Sequence, residues 1–254
     1  MRGLRTKKHD FYYSLLQEDY DIIALTETWL VDEINNSYLF DKRYDVIRKD
    51  RDNKKKRGGS VLLALKKNIN FQVIDIYYDK DILECLVAKL KYKKQVFYVV
   101  CVYIPPSVKV EVYEVFLDTI EQFLTNNVYM LILGDFNCPF FISKGCDKSI
   151  ILDQFLSMNN LTQCNVIVNH KQKFLDLIFT SMNVESVTKC MYSLVSKDPY
   201  HTALCMSLNL QQICDSETET VKRTFKYDYC KGDYFCYVIS CLILIGQIFT
   251  IQIM

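Results

Sequence analysis

Residues 128–139, VYMLILGDFNCP, constrain this chain more than any other stretch, because an unbroken apolar run stops abruptly on Gly134, Asp135, Phe136 and Asn137. A short apolar run closed by a turn signal reads as an inner strand, buried on both faces. The glycine lets the backbone turn. The carboxylate and carboxamide two residues apart then fall on one side of an extended segment, at the strand's C-terminal mouth. Hard oxygen donors in that place suit Mg2+. A plain Asp/Asn turn satisfies the same pattern, so partners elsewhere in the chain must decide between the two.

The remaining composition narrows the class. With 254 residues, 50% of them apolar and 13% aromatic, the chain can bury a substantial core in one large α/β domain or two small ones, which excludes disorder. A net charge of +1 gives almost no global field, so any nucleic-acid binding must come from local basic patches. Lys54, Lys55, Lys56 and Arg57 form one such patch, and Lys89, Lys91, Lys93 and Lys94 another; a solvated charged loop is the commoner explanation of each. Eleven cysteines show neither a CxxC pair nor a Cys/His zinc spacing, and most lie inside apolar runs, as small buried hydrophobes of a reducing compartment do. The basic N-terminus has no signal-peptide pattern. Residues 234–254 carry no charge. They read either as a single membrane span, with Lys222, Arg223, Lys226 and Lys231 as its cytoplasmic flank, or as a non-native extension.

Along the chain, residues 8–20 have helical spacing and DIIALTETWL begins a buried strand that places Glu27 at its mouth, as Asp135 is placed. YDVIRKDR, GGSVLLALKK and FQVIDIYY continue as strands. LECLVAKLKY and QVFYVVCVYIPP form a hairpin ended by Pro105 and Pro106. Helices are expected over residues 109–126 and over ILDQFLSMNN, and strands over FLDLIFTS, VTKCMYS and HTALCMSLNL. Runs of strands with about three helices and no strict alternation favour two packed sheets flanked by helices. The domain is expected to occupy residues 1–210, with a linker over 211–232 and an apolar tail over 233–254.

Glu27, Tyr103, Asp135, Asn137, Asp176 and His201 each sit near the end of an expected apolar strand, where segments distant in sequence can meet. Asp176 is flanked by apolar residues, and a carboxylate there is costly unless paired or metal-bound. A single histidine at a strand start is more often structural. The motifs TETWL, KRGG, VYIPP, LILGDFN, LDLIFT and YHTAL, in this order, resemble the endonuclease/exonuclease/phosphatase superfamily. They are most similar to the endonuclease domain of non-LTR (LINE-type) retrotransposons. The resemblance implies a DNase-like four-layer α/β sandwich of two mixed sheets flanked by helices. It further implies a metal-binding role for Glu27, phosphate contact by Tyr103, and orientation of the attacking water by Asp135 and Asn137. His201 takes the role of catalytic histidine, and Asp176 that of its orienting carboxylate. Mg2+, with Mn2+ as the alternative ion, and double-stranded DNA are the implied cofactor and substrate, with Lys54, Lys55, Lys56 and Arg57 as DNA contacts and a nuclear or cytoplasmic location. No protein partner is implied.

Two departures qualify this expectation. The family opens with a strand bearing a metal-binding asparagine, whereas this chain begins just after that point, so the first strand is expected to be truncated. The family's acidic residue before the final histidine is replaced by Tyr200, leaving Asp198 as a weaker metal ligand if Pro199 bends the chain inward. A non-catalytic DNA-binding relic and a membrane-tailed lipid or inositol-phosphate phosphatase are the competing functions.

Overall fold

The computed structural model describes residues 3–51, 58–79, 82–92, 95–124, 128–195, 200–210 and 248–253. Two six-stranded sheets stack face to face. The first contains β1 (Ile22–Thr26), β2 (Tyr44–Lys49), β3 (Val61–Lys66), β10 (Val184–Lys189), β11 (Leu204–Asn209) and β12 (Ile248–Ile253), in the order β10-β11-β12-β1-β3-β2. The second contains β4 (Asn70–Ile74), β5 (Glu84–Tyr92), β6 (Gln95–Tyr103), β7 (Tyr129–Asp135), β8 (Thr162–Gln163) and β9 (Asp176–Thr180), in the order β4-β5-β6-β7-β9-β8. Helix α1 (Lys8–Leu16) covers the outer face of the first sheet, and α2 (Val110–Glu121) and α3 (Asp147–Met158) cover that of the second. This is the four-layer sandwich of mixed sheets expected from the sequence.

Alternation along each strand builds the layers. In β1, Ile22 and Ala24 enter the core between the sheets, while Ile23 and Leu25 join the cluster under α1. In β7, Leu131 and Leu133 face the inter-sheet core, while Met130 and Ile132 face α2 and α3. Both faces are therefore buried, which is why these strands read as continuous apolar runs rather than alternating ones. The expected hairpin is β5–β6, in register from Glu84↔Tyr103 to Tyr92↔Gln95. Helix α3 begins at Asp147, earlier than the apolar spacing suggested. Cys146 caps it: its side chain accepts from the backbone of Ser149, whose hydroxyl answers the Cys146 N–H at 3.2 Å.

The far end of the chain departs most from expectation. Residues 248–253, within the stretch read as a membrane span or extension, form β12, parallel to β1 (Ile22↔Ile251) and antiparallel to β11 (Leu204↔Ile253). No gap is left beside β1, and the first sheet draws on a segment beyond residue 210. No helix among the described residues is long and apolar enough to cross a membrane; residues 211–247 lie outside the described ones. Ile251 is fully buried in the inter-sheet core.

Truncating Ile251→Ala should therefore destabilise the protein by about 2–5 kcal/mol, the usual cost of an Ile-to-Ala cavity. Chemical denaturation of the two proteins checks this, and equal midpoints would show that β12 does not belong to the sheet.

Candidate active site

Three strand ends lie side by side at one rim of the second sheet: Tyr103 of β6 pairs with Asp135 of β7, and Asp135 with Asp176 of β9. Each lies two residues from an inward-facing core residue (Cys101, Leu133 and Ile178), so alternation turns all three side chains into the space between the sheets. Gly134 makes the alignment possible. Its φ is +144°, and a Cβ there would stand 1.9 Å from the Val102 carbonyl oxygen. The first sheet contributes Glu27 just past β1, with a φ of +52°. That strained turn is held by the β3 entry, where the Ser60 and Gly59 carbonyls accept from the Thr28 and Trp29 amides at 3.4 and 3.3 Å. His201 lies three residues before β11 and is buried.

The six side chains singled out in the sequence meet here. Tyr103 donates its hydroxyl to Glu27 Oε1 at 2.9 Å. His201 Nδ1 lies 3.2 Å from both oxygens of Asp176. Its Nε2 faces Asp135 Oδ2 at 3.8 Å and Glu27 Oε2 at 3.9 Å, too far for hydrogen bonds and wide enough for a bridging group. Asn137, also at positive φ, closes the turn by donating its amide to Asp135 Oδ1 at 3.0 Å and its side-chain nitrogen to the Ile104 carbonyl at 2.9 Å.

Residues 3–181 match the Endonuclease/Exonuclease/phosphatase family. The chain belongs to that family. The sequence matches no curated protein. Among solved structures, an AP endonuclease from Leishmania major aligns over 80% of this chain and 84% of its own, with a TM-score of 0.59 at 14% identity. The endonuclease domain of the telomere-specific non-LTR retrotransposon TRAS1 aligns over 77% and 88%, with a TM-score of 0.55 at 15% identity. A mannosyl-6-phosphatase from Bacteroides thetaiotaomicron aligns over 74% and 82%, with a TM-score of 0.55 at 16% identity. At such identities the likeness speaks for the fold.

Endonuclease/exonuclease/phosphatase proteins generally depend on divalent metals, and the donor set here fits one. Asp135, Asp176 and His201 offer ligand atoms all within 4.8 Å of one another. Burial and the neighbouring Asp176 push the Asp135 carboxyl up to about 7 against the pull of His201, a like-charge cost that a cation would relieve. Burial alone would lower His201, but the Asp176 and Asp135 carboxylates hold it up to about 9. Burial, reinforced by the charge of Glu27, raises the Tyr103 phenol far above its ordinary range, so it remains a proton donor.

Beside Asn137 opens a cavity of about 490 Å3, lined in part by Lys148, Lys171, Lys173, Phe140 and Tyr200. Tyr200 carries Lys171 Nζ over its ring at 4.5 Å and stacks edge-on against His170. Asp198 and the patch Lys54, Lys55, Lys56 and Arg57 lie outside the described residues. Two supporting residues escaped the sequence reading: Asn165 donates to the Asp176 carbonyl at 2.6 Å, and Asn169 to that of Tyr200 at 3.0 Å. Their only signal was an Asn-rich turn before LDLIF.

The site sets a pH dependence. His201 is raised from 6.5 to about 9, so its contribution is complete below 6.5 and is lost as pH rises through 9. Asp135 is raised from 3.8 to about 7, so the folded state holds its proton longer and stability again falls as pH rises through that window. In chelator, Tm should decline from pH 6.5 to 9 and the decline should flatten in His201→Gln. Parallel Tm profiles for the two proteins would contradict this assignment.

Proposed function

We propose that this chain is the divalent-metal-dependent endonuclease domain of a retrotransposon-derived protein, hydrolysing DNA phosphodiester bonds. The observation that carries this reading is the His201–Asp176 pair facing Glu27 and Asp135 across a gap of 3.8–3.9 Å. Mg2+, or Mn2+ in its place, held by the Glu27 and Asp135 carboxylates, would supply charge stabilisation at the phosphoryl oxygens. Oxygen donors are preferred by such ions, which leaves His201 to its partnership with Asp176.

The remaining steps belong to side chains. Asn137, at the rim, donates a hydrogen bond to the phosphate, and Tyr103, whose one hydroxyl proton goes to Glu27, lies beside it. Asp135 orients a water molecule and takes its proton as the water oxygen attacks phosphorus. The P–O3′ bond breaks, and the leaving O3′ takes a proton from solvent water, giving a 3′-hydroxyl and a 5′-phosphate. His201, protonated and fixed by Asp176, offsets the negative charge that builds on the phosphoryl group. Lys148, Lys171 and Lys173 line the adjoining cavity and favour a polyanion over a small monoester. The fold likeness to the TRAS1 endonuclease domain agrees with this reading.

The purified chain should nick supercoiled plasmid with Mg2+ and stop in chelator. His201→Ala and Asp176→Asn should each lower the rate about 10²–10⁴-fold, while DNA affinity, followed by fluorescence anisotropy, stays near that of the unaltered chain. Salt-sensitive DNA binding without nicking in either metal would instead identify a non-catalytic DNA-binding relic. Release of phosphate from sugar, inositol or lipid phosphates with intact plasmid would identify a phosphatase.

A further inference from the structure

The polar row at the sheet rim has a fourth member that the proposed chemistry does not use. Glu84 opens β5 directly opposite Tyr103, and its alternation with Leu86 turns its side chain into the same inter-sheet space as Tyr103, Asp135 and Asp176. It is only 2% exposed. A carboxylate in such a place needs a counter-charge. Arg51, two residues past β2, supplies it: the guanidinium Nε donates to Glu84 Oε1. Burial pushes the Glu84 carboxyl up, and Arg51 opposes that shift.

The surrounding backbone is built around the pair. The Arg51 amide donates to the Ser60 hydroxyl at 3.2 Å. Gly59, at a φ of +79°, leaves room for the pair, since a Cβ there would lie 2.5 Å from the Arg51 guanidinium carbon and 2.6 Å from Glu84 Oε1. The same Gly59 and Ser60 carbonyls hold the turn that carries Glu27. On its other side the pair adjoins Tyr103: Glu84 and Tyr103 stand directly opposite each other in the β5–β6 ladder and point to the same face, so their side chains are neighbours. Two independent routes, one through backbone and one through Tyr103, thus join the pair to Glu27.

We propose that the Arg51–Glu84 pair is the outer support of the centre, holding Tyr103, and through its hydroxyl Glu27, so that Glu27 presents Oε2 to the divalent ion. The inference rests on the metal-dependent reading above. Arg51 and Glu84 are positioning residues, acting through Tyr103 and not on the substrate. Arg51 also cancels the charge of Glu84, which would otherwise repel Glu27 and spoil its orientation.

The test is Mn2+ binding to the full chain, without DNA, by isothermal calorimetry. Residues that orient a metal ligand from behind typically alter affinity 10–100-fold. Arg51→Met should weaken Mn2+ about tenfold. Because it strands a buried carboxylate and can unfold the protein, Arg51→Met/Glu84→Leu, which replaces both charges by apolar groups, is measured beside it and should keep the Tm while showing the same weakening. Tyr103→Phe should also weaken Mn2+, and adding it to the double variant should cost little more, because the effect passes through Tyr103. Unchanged Mn2+ affinity in a folded double variant, or fully additive losses with Tyr103→Phe, would overturn the inference. Failure of the unaltered chain to bind Mn2+ would overturn the metal reading itself, and with it this inference.

Discussion

The centre depends on one ladder, the parallel pairing of β6 with β7. It runs unbroken to Val102↔Gly134 and Tyr103↔Asp135, and at that last step the strands exchange apolar for polar side chains. The close approach of Gly134 to the Val102 carbonyl leaves no space for any side chain. A substituent there would push β7 away from β6, and with it Asp135 from both Tyr103 and Asp176. Register in a sheet is all-or-none, since a slip of one residue would turn the three polar groups out of the core and apolar ones in.

Around that ladder the sandwich solves an electrostatic problem. Glu27, Asp135, Asp176 and Glu84 all sit where two sheets bury most of their surface, and isolated carboxylates would be expelled or protonated there. His201 and Arg51 stand at opposite ends of the row and compensate it: one pairs with Asp176, the other with Glu84. Between these two pairs, Asp135 keeps a carboxyl raised to about 7. The strained turns at Glu27 and Asn137 aim side chains into the same space, and each is fixed by backbone hydrogen bonds from a neighbouring segment or its own loop. Strain of this kind persists where surrounding structure over-determines it, and it concentrates at functional sites.

Much of this was legible in the sequence because it is local. GDFN announces a strand end followed by two oxygen donors, LDLIF announces a carboxylate with apolar neighbours on both sides, and TETWL places Glu27 after an apolar run. What escaped depends on long-range complementarity. IFTIQIM reads as well for a lipid-facing helix as for a strand, and only the open edges of β1 and β11 choose between them. Glu84 reads as an ordinary polar residue opening a strand; its burial makes sense only with Arg51, thirty-three positions earlier. Asn165 and Asn169 look like turn formers, yet their amides brace the backbone of Asp176 and Tyr200. Tyr200 has a further lesson. Its ring carries Lys171, so a cation sits at the rim beside Asn137 that the sequence alone did not place there.

The central claim is that carboxylates from both sheets share one divalent ion in front of a fixed histidine. Anomalous diffraction from crystals soaked in Mn2+ tests it most directly. The account predicts one strong peak between the Glu27 and Asp135 carboxylates, with His201 still bound to Asp176. A peak elsewhere, with those two carboxylates bare, would contradict it.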